Sequence, residues 1–167
     1  MSAGVYKIIN PIVKTILRSP LHSLMSRNTL LIEFEGRKTG RALSTPISYH
    51  AVGGRVSCFT SRSYPWWRNL VANADVTVRL KGCSLNGHAN VTESESIQIV
   101  SALRDFLIAV PRDAAHAGVL LDQDGQPIES DLIEASKRLV HISIEFPLAA
   151  SQCPSPPSRT GPGIKRR

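Results

Sequence analysis

Aromatic side chains are scarce in this chain. Four Phe, two Trp and three Tyr make up 5% of 167 residues, and the two tryptophans stand side by side at 66 and 67. Cysteine is scarcer still. Cys58, Cys83 and Cys153 form no CxxC pair and are odd in number, so a disulfide framework is not expected and a reducing cytoplasm is the natural setting. The five histidines are scattered, with no two at a metal-ligand spacing, so no metal is expected. Asp122-Gln123-Asp124-Gly125 lacks the later ligand positions of a calcium loop and reads as a turn. No apolar run is long enough to span a bilayer. The N-terminal apolar residues are spaced and lead to no small-residue cleavage site, so they do not read as a secretory signal. The chain shows no GxGxxG, no Ser–His–Asp or Cys–His grouping and no internal repeat. A recognition-helix pattern, zinc spacing and an RNA-binding aromatic signature are missing too, so nucleic acid is not an expected partner.

Acids are also scarce, but only in places. Residues 1–90 carry twelve Lys/Arg against three Asp/Glu, whereas residues 91–147 carry four against ten. The last twenty residues add four cations and no acid, which completes the net charge of +7. The positive charge of the body therefore lies in its first half, and such asymmetry points to an anionic partner. A small polyanion suits it best.

What is present reads mainly as strand. Runs near 29–35, 42–52 and 55–61 alternate, with Gly53-Gly54 as a tight hairpin turn between the second and third. Pro46 inside the second run predicts an edge position or a bulge. Val76 to Lys81 and Leu85 to Thr92 form another pair, with Gly87 weakening the second strand or marking a bulge, and Leu139 to Phe146 is the last strand. Helices are expected at 11–18, where Asn10-Pro11 supplies a cap and first turn, and at 66–73. A third is expected over 96–110, with Ile97, Val100, Leu103, Leu107 and Ile108 on one side, and a fourth over 130–137, capped by Ser130. Residues 114–121 read as helical or irregular. The expected fold is α+β and mainly β: a small antiparallel barrel of about six strands with an N-terminal helix and peripheral helices. Residues 1–147 would form one domain, and the Pro/Ser-rich basic tail 148–167 would be disordered. The first helix has a basic complement in Lys7, Lys14 and Arg18, so peripheral membrane contact is an alternative to packing across the barrel mouth.

Two features carry chemistry. Gly36-Arg37-Lys38-Thr39-Gly40-Arg41 is a cationic, glycine-bracketed turn that can meet an anion through side chains and through backbone N–H groups. The helix start at Trp66-Trp67-Arg68-Asn69 offers aromatic surface and free N–H groups, with Arg62 and Arg68 alongside. Together they describe a pocket for a phosphorylated aromatic cofactor.

These motifs, with Thr45-Pro46, Gly53-Gly54 and the run Ala72-Asn73-Ala74-Asp75-Val76-Thr77-Val78, resemble the deazaflavin-dependent nitroreductase / quinone reductase family. The resemblance spans about Asn10 to Phe146 and is densest over 36–81. It implies the split β-barrel fold of the FMN-binding-like proteins, coenzyme F420 as hydride donor, and a small acceptor such as a quinone, nitroaromatic or enone. It implies that Arg37, Lys38 and Thr39 hold the cofactor's phosphate and acidic tail, and that Thr45, Pro46 and Ile47 line the deazaflavin ring. Ser61 and Arg62 would meet its polar edge or phosphate, with Trp66, Trp67, Arg68 and Asn69 as the opposite wall. Ser48, Ser61, Tyr64 or water are the candidates for proton donor. Fold relatives imply a possible homodimer. The chain departs from the pattern in a short loop between Ser61 and Trp66, and in Ser48 where a member with nitroreductase activity has a tyrosine. An FMN-binding barrel and a non-catalytic carrier of cofactor or lipophile are the alternatives.

Overall fold

The computed structural model describes residues 28–80, 83–93 and 97–147. The expected helix at 11–18 and the tail at 148–167 lie outside the described residues. Six strands form one closed antiparallel barrel: β1 (Thr29–Glu35), β2 (Ala42–Val52), β3 (Arg55–Ser61), β4 (Asp75–Leu80), β5 (Cys83–Thr92) and β6 (Leu139–Glu145), in the spatial order β1-β2-β3-β6-β5-β4. The split-barrel expectation is met. Period-two alternation turns Leu30, Ile32 and Phe34 inward from β1, Val56 and Cys58 from β3, and Val140, Ile142 and Ile144 from β6. Burial lifts the Cys58 thiol far above its ordinary range, so it stays protonated as a core hydrophobe.

Two connections shape the rest. β3 and β4 stand on opposite sides of the barrel, so the chain between them must cross its end. It does so through a 3-10 turn at Pro65–Trp67 and helix α1 (Arg68–Ala72), and this crossing places Trp67 and Leu70 in the barrel core. β5 and β6 are neighbours joined by a long excursion of α2 (Ile97–Ala109), a 3-10 turn at Pro111–Asp113, α3 (Ala114–Ala117) and α4 (Glu129–Ser136). The excursion packs into a second apolar cluster that includes Leu103, Phe106, Leu107, Val110 and Leu132, with Phe59 and Leu139 of the barrel against it. Phe59 meets Phe106 edge-on at 5.3 Å between ring centroids.

Three local expectations need correction. The buried side of α2 is Ile99, Leu103, Phe106 and Leu107, while Ile97 is 90% exposed and Ile108 is exposed. The partner surface, not the longest apolar row, sets the phase of the helix. Ser130 does not cap α4: Ile128 is its N-cap residue, and the Ser130 hydroxyl donates to Asp131 Oδ1. Gly87 marks no bulge, since β4 and β5 keep unbroken register from Asp75–His88 to Leu80–Cys83. A Cβ at Gly87 would lie 2.8 Å from Ile144 Cγ2 and 2.9 Å from the Glu145 carbonyl oxygen, so the glycine answers to close backbone approach.

Pro46 sits where the edge expectation put it. β2 pairs with β1 along Ala42–Ser48, but with β3 only along Tyr49–Val52. Beyond Tyr49 and Cys58 the two strands part, and β3 continues against β6 alone. Pro46 lies on the open arm of this fork.

Candidate cofactor and substrate cavity

The fork opens into a cavity of about 1440 Å³. Its strand side is Ser44 to Ser48 on β2 with Phe59, Thr60 and Ser61 on β3. Gly36, Arg37, Lys38 and Thr39 close one end, with Tyr64, Pro65, Trp66 and Asn69 beside them. The facing wall is helical: Leu103, Phe106 and Leu107 of α2, then Arg112, Asp113 and His116.

The cationic turn is built by its own backbone. Gly36 N–H donates to the Arg41 carbonyl at 2.8 Å, and Thr39 and Gly40 N–H both donate to the Gly36 carbonyl. Gly40 has φ +64°, a conformation that favours glycine. Arg37 N–H donates to Asn69 Oδ1 at 3.0 Å, and Asn69 Nδ2 donates to the Trp66 carbonyl at 2.7 Å. Asn69 thus clamps the turn to the crossing segment. The N–H groups of Gly36, Arg37, Thr39 and Gly40 are committed inside this frame, so the charged side chains, more than a backbone cradle, are left to meet an anion. Among the described residues, no carboxylate pairs with Arg37, Lys38 or Arg41, whereas Arg55, Arg79, Arg104 and Lys137 are all paired with acids.

Of the residues expected to hold a cofactor, Arg37, Lys38, Thr39, Thr45, Pro46, Ile47, Ser61, Trp66 and Asn69 line this one cavity, as do Ser48 and Tyr64. Arg62, Trp67 and Arg68 do not. Arg62 is drawn to the end of β6, where its side chain donates to the carbonyls of Leu139 and Glu93. Trp67 is 2% exposed and fills the barrel core. Arg68 stacks on the Trp67 ring, its guanidinium carbon 4.6 Å from the centroid. Successive positions in a tight helical turn point in different directions, so only one of two adjacent tryptophans can face the cavity. Trp66 does, held by its Nε1–H donating to Thr60 Oγ1 at 3.2 Å and by Phe34, tilted 5.6 Å away.

The helical wall is what sequence reading missed. Leu103 and Leu107 were assigned only to an apolar helix face, and Arg112, Asp113 and His116 carried no motif. The one available signal was Pro111, which ends α2 and turns the chain back.

The sequence matches the model of the F420H2-dependent quinone reductase family over residues 17–105. The chain belongs to that family. It is an F420-dependent oxidoreductase. A search of curated proteins gives no match. Solved structures similar to this reductase share its fold at low identity. An F420-H2 dependent reductase (FDR-A) is 17% identical, with 71% of this chain and 95% of that one covered and a TM-score of 0.52. An FAD-binding protein from Mesorhizobium loti is 11% identical, covering 88% and 91%, at a TM-score of 0.50. A protein described as a domain-swapped dimer is 17% identical, covering 72% and 81%, at a TM-score of 0.51. Among the described residues no helix of the reductase is long and apolar enough to cross a membrane.

Proposed function

We propose that the cavity in the fork binds F420 together with a small conjugated acceptor, a quinone, nitroaromatic or enone, and that hydride passes between them there. The observation that carries this reading is the meeting of three surfaces in one cavity: unpaired cations of the turn, the open arm of β2, and the Trp66 ring. The residues suit a flat ring with an anionic arm. Arg37, Lys38 and Thr39 would hold the arm, with charge-assisted hydrogen bonds from the first two. Thr45, Pro46 and Ile47 on one side and Trp66 on the other would hold the ring, and Asn69 keeps the two groups in register. Small-ligand pockets commonly measure about 300–1,000 Å³. A cavity above that range suits two molecules side by side, which a reductase needs.

When bound, the reduced deazaflavin supplies the hydride. The protein's part is to bind, orient and exclude water. Leu103, Phe106 and Leu107 make the facing wall apolar, which strengthens polar contacts inside. Ser48 and Ser61 are half-buried hydroxyls on the two arms of the fork, and either would pass a proton to the reduced acceptor. The Ser61 Oγ lies 2.8 Å from Ser63 Oγ, a hydroxyl pair that leads outward.

Equilibrium titration with F420, FMN and FAD tests the reading. F420 should bind most tightly, with affinity falling as salt rises. A preference for FMN would overturn it in favour of a flavin-binding barrel, and tight F420 binding without turnover of any quinone, nitroaromatic or enone would point to a carrier.

A further inference from the structure

The cavity has a second polar end. The β1–β2 register pairs Glu35 with Ala42 beside the cationic turn, and Thr29 with Ser48 at the far end of the ladder. The length of β1, about 20 Å at the rise of a strand, separates them. At the far end Arg112 reaches across from the helical wall. Its Nη2 donates to Thr29 Oγ1 at 3.1 Å and to the Asn28 carbonyl at 3.4 Å, and its Nε lies 3.4 Å from Asp113 Oδ1. A guanidinium carries five N–H donors. Among the described residues, Nη1 meets no partner, and Arg112 lines the cavity.

We propose that Arg112 recognises the acceptor, its guanidinium meeting an oxygen of a neutral conjugated acceptor at this end of the cavity. The inference rests on the reading of the cavity as a two-ligand site. Three observations bear on it. The residues suited to the cofactor's arm occupy the opposite end. The helical wall that brings Arg112 in, from Phe106 onward, lies beyond the residues that match the family model, so its role is not fixed by the shared family features. Asp113 offsets the charge of Arg112, which disfavours a fully anionic acceptor and leaves a directed donor for a neutral oxygen. Hydride arriving at a carbon conjugated with that oxygen leaves the oxygen negative until a proton reaches it. A fixed guanidinium donor stabilises that developing charge more than the neutral ground state. The contacts to Thr29 and Asn28 preorganise it.

The test uses full-length protein and two variants, Arg112→Gln and Asp113→Asn, each checked by thermal melting. The readouts are F420 affinity, the affinity of a neutral naphthoquinone measured by quenching of tryptophan emission without turnover, and steady-state kinetics. Arg112→Gln should leave F420 affinity within about twofold and weaken naphthoquinone binding or kcat/KM by roughly 10- to 100-fold, the span of a hydrogen bond to a charged group. Asp113→Asn should shift preference toward a carboxylated naphthoquinone. Unchanged quinone binding and kcat/KM in Arg112→Gln would overturn the proposal. So would a loss confined to F420 affinity, which would place Arg112 with the cofactor. If the parent protein fails to bind F420, the reading of the cavity falls, while the turnover-free quinone measurement still decides the role of Arg112.

Discussion

The strand wall of the cavity is tied together by polar contacts at named atoms: Arg37 N–H on Asn69, Asn69 on the Trp66 carbonyl, and Trp66 Nε1 on Thr60. The helical wall, apart from the Arg112 contacts at its far end, is held by apolar packing of Leu103, Phe106 and Leu107 against Val110 and Leu132. Hydrogen bonds fix direction, and apolar contacts fix volume. A cofactor with one set of anchoring groups calls for the first kind of wall. A family of acceptors that vary in outline is better served by the second, which can be repacked with modest loss. If the cavity is the two-ligand site proposed above, the contrast explains why most of the polar, motif-bearing residues lie on one side of it.

The adjacent tryptophans offer the sharpest way to break that contrast. Trp67→Ala should cost about 3–5 kcal/mol, because it empties a filled core position and removes the platform under Arg68. Urea unfolding measures it. Trp66→Ala, on a half-buried ring facing the cavity, should cost clearly less stability and lower F420 affinity instead. Equal stability losses would mean that both rings are core. Trp67→Phe refines the case. The Trp67 Nε1–H is buried and has no hydrogen-bond partner among the described residues, so deleting it removes a desolvated donor and offsets part of the lost packing.

Away from either wall, Gly87→Ala should destabilise by about 1–3 kcal/mol, the usual cost of forcing an extra carbon into a packed site. Its Cβ would collide with Ile144 and the Glu145 backbone across the β5–β6 pair. F420 affinity should be unchanged at temperatures where the variant is folded, which separates barrel stability from the site.

Within the strand wall, Lys38→Ala and Asn69→Ala should behave differently. Removing the lysine should weaken F420 binding roughly tenfold and reduce its salt dependence, since one unpaired cation is lost. Removing the asparagine should cost about 1 kcal/mol of stability, and should weaken binding with the salt dependence intact, because it loosens the turn without changing its charge. Isothermal titration at two ionic strengths distinguishes them. Identical salt slopes for the parent and both variants would show that the turn does not meet the anion.

Much of this was readable from the chain because the signals were local. The three strands around the glycine pairs, the proline on an open strand and the cationic turn each announce themselves within a few residues. Trp67 and Arg68 were misplaced because adjacency in sequence says nothing about which way each side chain leaves a tight turn. On α2, Val100, Leu103 and Leu107 pack inward as expected, but Ile97 and Ile108 fall outside the buried side, which takes in Ile99 and Phe106 because the partner surface decides its edges. Arg112 was invisible, for its role depends on a contact with Thr29 across more than eighty residues, and no local pattern encodes such a meeting.

The smallest expected effect concerns the outer surface of β3 and β6, next to the helical wall. His141 stacks on Phe59 at 4.8 Å, and its Nε2 lies 2.8 Å from Ser57 Oγ. Burial disfavours the imidazolium and holds the ring's pKa below its ordinary value of 6.5. In the unfolded chain the ring takes up a proton near its ordinary pKa, while the folded protein resists it. The unfolded state therefore binds more protons once pH drops below about 6.5, and stability falls with pH until the folded-state pKa is also passed. Above that range the ring is neutral in both states and contributes no slope. His141→Gln should flatten the change in unfolding free energy between pH 7 and 5 while Ser57 keeps a partner. Chemical denaturation at a series of pH values measures the slope. A parent slope matched by the variant would show that Phe59 and its helical neighbours do not bury the ring in solution, and would weaken the packing that seats the helical wall on the barrel.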